Sequence, residues 1–234
     1  MGIDEISLRK GQQDYVTVVS DLDQRKLLEV IDSHGQDEIV KTLIQEPLEV
    51  RERVEEVSLD MWGGFPKVVE AVFPNAKIVF DRFHVMKLVN NELNKLRRAV
   101  GVTDRNSKYL LLKNYDDLTP GQKQKVEEVL QRSPCLRVAH ELKEEFRNIY
   151  ETSRTVQGGR KKFERWLSLA QLLYVDSAAT IRSHLDGICN YFLNRTTSGV
   201  VEGINNRIKL IKRQGYGFSN FSNFRVRLLA CLSH

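Results

Sequence analysis

Cysteine is scarce in this chain, with three in 234 residues: Cys135, Cys189 and Cys231. So widely scattered, they supply neither a disulfide framework nor a paired metal knuckle, which points to a reducing, cytoplasmic setting. Cys135 with His140, and Cys189 with His184, are zinc-type pairs without partners at a ligating spacing, so burial is the reading for both. There is no apolar run near the roughly 20 residues that cross a bilayer, and no signal-peptide core follows Met1. Membrane residence is therefore not expected. Five prolines, 41% hydrophobic and 29% charged residues describe a globular protein long enough to bury a sizeable core.

The C-terminal region lacks acid. None of the 32 residues after Glu202 is Asp or Glu, whereas Arg207, Lys209, Lys212, Arg213, Arg225 and Arg227 all fall there. A second basic cluster, Lys87, Lys95, Arg97 and Arg98, follows Asp81. The net charge is only +5, so distribution matters more than total. A charge run is ordinarily a solvated helix face, but an acid-free stretch of this length suits a polyanion, and nucleic acid is the partner class it indicates.

Two textures divide the chain. In residues 1–101, Asp14–Ser20 and Lys26–Ile31 read as strands joined by a short link, an antiparallel hairpin. Residues 36–46 read as a helix stopped by Pro47. A strand then runs to Asp60, a helix carries Val68, Val69 and Val72, a strand ends at Asp81, and a long helix carries Val85, Leu88, Val89, Leu93 and Leu96. Residues 102–196 hold no convincing strand. Helices are expected from Pro120, over Leu136–Tyr150, over Phe163–Leu173 and over Ala178–Phe192, with Gly158-Gly159 as a break between two of them. Residues 197–234 return to the α/β body with a helix over Ser198–Arg213, ended by Gly215-Tyr216-Gly217-Phe218, and a last short helix.

The order β-β-β-α-β-α-β-α is that of the RNase H-like fold: an α/β five-stranded mixed sheet flanked by helices, here with a large all-helical insertion before the last acid-bearing helix. In that fold the first and fourth strands are central neighbours whose ends carry acids, and a later helix brings a third. Those places fall on Asp4, Asp60 and Glu202. Each has a plainer reading: a loop acid at Asp4, a helix N-cap at Asp60, and a dipole-favoured first-turn residue at Glu202. Asp81 and His84 are read as capping residues or outer support. The basic face after Glu202 argues against the plain reading there, because Asn206, Lys209 and Arg213 follow at i+4, i+7 and i+11 on one side. Trp62 and Phe65 are read as core.

Several fragments in this order resemble one family. They are Ile3-Asp4-Glu5, Val57-Ser58-Leu59-Asp60-Met61-Trp62, Phe73-Pro74-Asn75-Ala76, Phe80-Asp81-Arg82-Phe83-His84-Val85 and Leu96-Arg97-Arg98, then Val201-Glu202-Gly203-Ile204-Asn205-Asn206 and Arg213-Gln214-Gly215-Tyr216-Gly217-Phe218. Together they resemble the catalytic domain of the insertion-sequence transposases of the ISL three family, of the DDE class. The resemblance implies that Asp4, Asp60 and Glu202 are catalytic and bind two Mg²⁺ or Mn²⁺ ions about 3.5–4 Å apart, for DNA strand cleavage and strand transfer. Oxygen-only ligands suit such hard ions. DNA, both transposon ends and target, is the expected partner, contacted by Lys87, Arg97, Arg98, Asn206, Lys209, Lys212 and Arg213. Cutting two ends in one assembly makes a homodimer the expected working form, nucleoid-associated when acting. No small-molecule cofactor is expected.

Two other readings stand beside this one. An inactive or domesticated transposase fragment would act as a DNA-binding or assembly module. Asp21-Leu22-Asp23 after an apolar run matches the start of a haloacid-dehalogenase-type phosphotransferase, with Asp21 as nucleophile and Asp23 as acid/base; Gln24-Arg25 and the early second strand argue for a hairpin turn instead. Family members normally carry a DNA-binding region upstream. None precedes Asp4 here, so weak DNA binding without end specificity is expected of this chain.

Overall fold

The computed structural model describes residues 1–9, 13–61, 64–215, 218 and 220–233; Trp62, Tyr216 and Gly217 lie outside them. In chain order the elements are β1 (Gly2–Arg9), β2 (Gln13–Asp21), β3 (Lys26–Ile31), α1 (Gln36–Leu43), α2 (Leu48–Arg51), β4 (Glu56–Leu59), α3 (Phe65–Val72) and β5 (Lys77–Phe80). Then come α4 (Arg82–Ala99), α5 (Ser107–Leu112), α6 (Pro120–Leu130), α7 (Pro134–Thr152), α8 (Val156–Ala170), α9 (Val175–Ser183), α10 (Leu185–Cys189) and α11 (Tyr191–Asn194). Helices α12 (Gly199–Gln214) and α13 (Phe221–Leu232) follow. The chain forms two compact units, Met1–Asp81 with Arg195–His234, and Arg82–Asn194.

The first unit is built on a five-stranded mixed sheet of order β3-β2-β1-β4-β5, the RNase H-like arrangement. β1, β2 and β3 form an antiparallel meander, while β4 and β5 run parallel to β1. At the β2–β3 turn, Asp21 Oδ1 accepts hydrogen bonds from the backbone N–H groups of Asp23 (2.9 Å) and Gln24 (3.0 Å). That carboxylate closes a hairpin, and the antiparallel pairing of its strands removes the phosphotransferase reading, which needs a crossover to a parallel strand. The expected helix over 36–46 ends at Leu43, and Pro47 is the N-cap residue of the separate turn α2.

Alternation along the strands sorts the two faces. On one face Ile6, Val16, Val18, Leu27 and Val30 make a single apolar cluster with Ile204 and Ile208 of α12 and with Phe224, Leu228 and Leu232 of α13. Strand positions of opposite parity, Ile3, Val19 and Leu59, are equally buried. Helices α1 and α3 pack on each other, and α3 on β4; Phe65 of α3 is in the core as expected.

In the second unit α4 packs on α5, α7 and α9. An aromatic cluster fills its centre: Phe146, Tyr150, Phe163, Trp166, Tyr191 and Phe192. Trp166 Nε1 donates to the Leu142 carbonyl at 2.8 Å and the Tyr174 hydroxyl to that of Ala139 at 2.6 Å, so both polar tips are matched inside. Gly158 and Gly159 are not a break between helices but part of the N-terminal turns of α8, whose cap Thr155 accepts from Gly158 N at 3.1 Å. The expected helix over Ala178–Phe192 is interrupted at His184 and Asn190, giving α9, α10 and α11.

Candidate metal centre and nucleic-acid interface

The parallel register positions the acids. Gly2 of β1 pairs with Ser58 of β4, so two residues further on Asp4 comes abreast of Asp60. Leu59 of β4 pairs with Phe80 of β5, and the Asp81 N–H donates to the Leu59 carbonyl at 3.0 Å, so Asp81 comes abreast of Asp60 on the other side. Residues abreast in neighbouring strands share a face, and the strands lie about 4.8 Å apart. Three carboxylates thus form a row across β1, β4 and β5. Asp4 is the third residue of an eight-residue strand, not its end. β1 runs on beyond the row as the antiparallel partner of β2.

Helix α12 crosses this row. Its N-cap residue, Ser198, donates its backbone N–H to Asp81 Oδ1 at 3.1 Å. Val201 lies so close to Gly2 that a Cβ there would meet its Cγ2 at 2.5 Å. One turn later, Asn205 Nδ2 donates to Asp4 Oδ2 at 2.7 Å. The glycine lets the helix approach, and two polar contacts set its position against the first and last acids of the row. The segment entering α12 is tied as well, since Thr196 Oγ1 donates to Glu56 Oε2 at 2.5 Å.

Asp4 and Asp60 are half-buried, Asp81 is 2% exposed, and Glu202 is exposed in the first turn of α12. Asp4 Oδ1 also accepts from the Glu5 N–H at 2.8 Å. Burial raises the Glu5 carboxyl above its ordinary range; His34 opposes this, while the charges of Asp4 and Asp60 push it further up. Among the described residues, no group of three or more His, Cys, Asp or Glu side chains is placed to hold a metal ion. The donors are oxygen only and partly matched. In chemical type, oxygen donors suit a hard divalent ion that keeps water and takes a substrate oxygen as a further ligand.

The other expected residues divide. Asp60 is not a helix N-cap: α3 begins at Phe65 with Gly64 before it. Arg82 pairs with Glu151 at 2.5 Å and lies over the Tyr150 ring. His84 is half-buried with its ring edge-on to Phe83. Lys87, Arg98, Asn206, Lys209 and Arg213 are exposed and Lys212 is half-buried. Arg97 departs from the DNA-contact expectation. It is 8% exposed, its guanidinium donating to Asn94 Oδ1 (3.0 Å), Ser107 Oγ (3.1 Å) and the Val102 carbonyl. It holds the end of α4 to α5. Asn205 is the residue that sequence reasoning passed over in favour of Asn206. The signal was present, since a polar side chain at 205 interrupts the apolar stripe of Val201, Ile204 and Ile208.

The chain matches the family model described as Transposase, of the ISL three type, over residues 1–228. It is 29% identical over 245 residues to the transposase for insertion sequence element IS1001 of Bordetella parapertussis, with 98% of this chain and 60% of that protein covered. It is 28% identical over 257 residues to the transposase for insertion sequence element IS1557 of Mycobacterium tuberculosis, with 93% and 56% covered. The chain thus spans less than two thirds of the length of either relative. A shorter match, 32% identical over 107 residues, is to an ATP-dependent protease of Lactococcus lactis subsp. lactis and covers 44% of this chain. No Gly-x4-Gly-Lys-Ser/Thr phosphate loop occurs in this sequence.

Proposed function

Since the chain belongs to the ISL three family of transposases, we propose that it carries the catalytic domain that cleaves DNA at the ends of an insertion sequence and joins those ends to target DNA. Asp4, Asp60 and Glu202 would hold two Mg²⁺ or Mn²⁺ ions. When bound, such ions supply Lewis acidity that activates the attacking hydroxyl and stabilises the leaving 3′-oxygen. The observation that carries the reading is the row of Asp4, Asp60 and Asp81 with α12 held across it, by Asn205 on Asp4 at 2.7 Å and Ser198 on Asp81 at 3.1 Å.

The protein's own groups then have separate tasks. Glu5 N–H and Asn205 Nδ2 orient the Asp4 carboxylate. Asp81 fixes the first turn of α12, so Glu202 is presented from a held helix and not from a loop. Asn206, Lys209 and Arg213, exposed further along the helix, are placed to follow the phosphate backbone. Lys87 and Arg98 are exposed basic residues of α4 with the same chemistry to offer.

The test is nicking and strand transfer with Mn²⁺ on DNA carrying the element's ends, comparing wild type with Asp4→Ala, Asp60→Ala and Glu202→Ala. Each substitution is expected to leave about 1% of activity or less, the loss that accompanies removal of one electrostatic partner of the transition state. Wild-type rates in any two of them would place the chemistry elsewhere. Salt-sensitive DNA binding by a wild-type chain that never cleaves would favour a DNA-binding module.

A further inference from the structure

Asn205 lies inside the apolar stripe that α12 turns toward the sheet, among Val201, Ile204 and Ile208, all buried. A polar side chain in such a place is unfavourable unless its groups are matched. Only half of this one is. Nδ2 donates to Asp4 Oδ2 at 2.7 Å, while Oδ1 is buried without a hydrogen-bond partner. The residue is 6% exposed. The amide cannot be turned round to improve matters, because its oxygen would then face a carboxylate with no proton between them.

α12 does not need this residue as a fastener. Val201 against Gly2, and Ile204 and Ile208 in the cluster around Ile6, already seat the helix on β1. What Asn205 adds is a fixed orientation for Asp4 and an acceptor held in reserve beside it. Resting on the assignment of Asp4 as a metal ligand, we propose that Asn205 is a positioning residue of the metal centre. Its Nδ2 sets the Asp4 carboxylate, and its Oδ1 accepts a hydrogen bond from a water that enters with the cation. Ligating carboxylates are themselves hydrogen-bonded, and losing such a partner costs about 10–100-fold in metal affinity.

Mn²⁺ titration of the full chain, followed by the electron paramagnetic resonance of the free ion, tests this. Asn205→Leu, of the same branched shape and without polar atoms, is expected to bind Mn²⁺ about 10–100-fold more weakly than wild type while remaining folded by circular dichroism. Asn205→Asp sets a second carboxylate against Asp4. It is expected to melt below wild type in chelator and to gain more in Tm from Mn²⁺ than wild type does. An Asn205→Leu protein with wild-type Mn²⁺ affinity overturns the inference. If that variant does not fold, Asn205→Asp decides, and a Tm gain no larger than that of wild type overturns it. Asp4→Ala separates the two levels: if it binds Mn²⁺ as wild type does, the assignment of Asp4 itself falls. If Asp4→Ala loses binding while Asn205→Leu keeps it, only the role of Asn205 falls.

Discussion

Burial pushes the pKa of His140, on α7, down to about 4; the Lys143 charge adds to the fall, Glu144 and Glu127 oppose it, and Arg137 reinforces it. The ring is 3% exposed, edge-on to Tyr115. In the unfolded chain the same imidazole takes a proton near pH 6.5. Between pH 6.5 and about 4 the unfolded state therefore binds more protons, and this group's contribution to stability is lost as the pH falls through that window. At pH 5 the loss amounts to at most about 2 kcal/mol. Urea unfolding of wild type and His140→Gln at pH 7.5 and pH 5 should show the wild type losing more stability on acidification, and equal losses would remove His140 as the cause. The residue scale is also where sequence reading is weakest. Arg97 and Arg98 are adjacent and alike in sequence, yet one is walled in by Asn94, Val102 and Ser107 and the other is exposed. Asn205 and Asn206 divide in the same way, because 100° of helix rotation separates the sheet from the solvent.

At the scale of elements, periodicity was an adequate guide wherever one face is buried. The meander, the two parallel strands and α12 were all legible from it, and with them the order that brings Asp4 and Asp60 together. It fails at backbone breaks inside an intact stripe. Ile181, Leu185, Ile188 and Phe192 keep helical spacing and are all buried, although His184 and Asn190 interrupt the helix between them. Glycine misleads for a related reason, since a breaker in sequence can be a close approach in space. A Cβ on Gly159 would lie 2.0 Å from the Phe192 ring, whereas one on Gly121 of α6 would meet nothing within 4 Å. Gly159→Ala is thus expected to cost about 1–3 kcal/mol by overpacking. Gly121→Ala should stabilise by about 0.5–1 kcal/mol through helix propensity alone. Urea midpoints followed by the fluorescence of buried Trp166 would compare them, and shifts of the same sign would refute the packing argument.

For the molecule as a whole, composition counts charges but does not say which are available to DNA. The acid-free C-terminal stretch contributes Lys209 and Arg213 as exposed cations of α12. It also contains Arg225, whose guanidinium is already engaged by Glu29 through both carboxylate oxygens, Nε donating at 2.6 Å. A cation paired in this way has little field left for a phosphate. Each phosphate neutralised on duplex DNA adds about 0.9 to the slope of log affinity against log salt. Replacing Lys209 and Arg213 together by glutamine should therefore flatten that slope by about 1.8 and weaken binding across unrelated sequences alike. Arg225→Gln should leave the slope unchanged and instead destabilise the fold, because Glu29 loses its partner. Fluorescence anisotropy of a labelled duplex over a salt series distinguishes the two. If Arg225→Gln flattened the slope as much as the double substitution does, the phosphate track would have to leave α12 for the outer end of the sheet. That result would also remove the support that the basic face of α12 lends to the proposed role of Glu202.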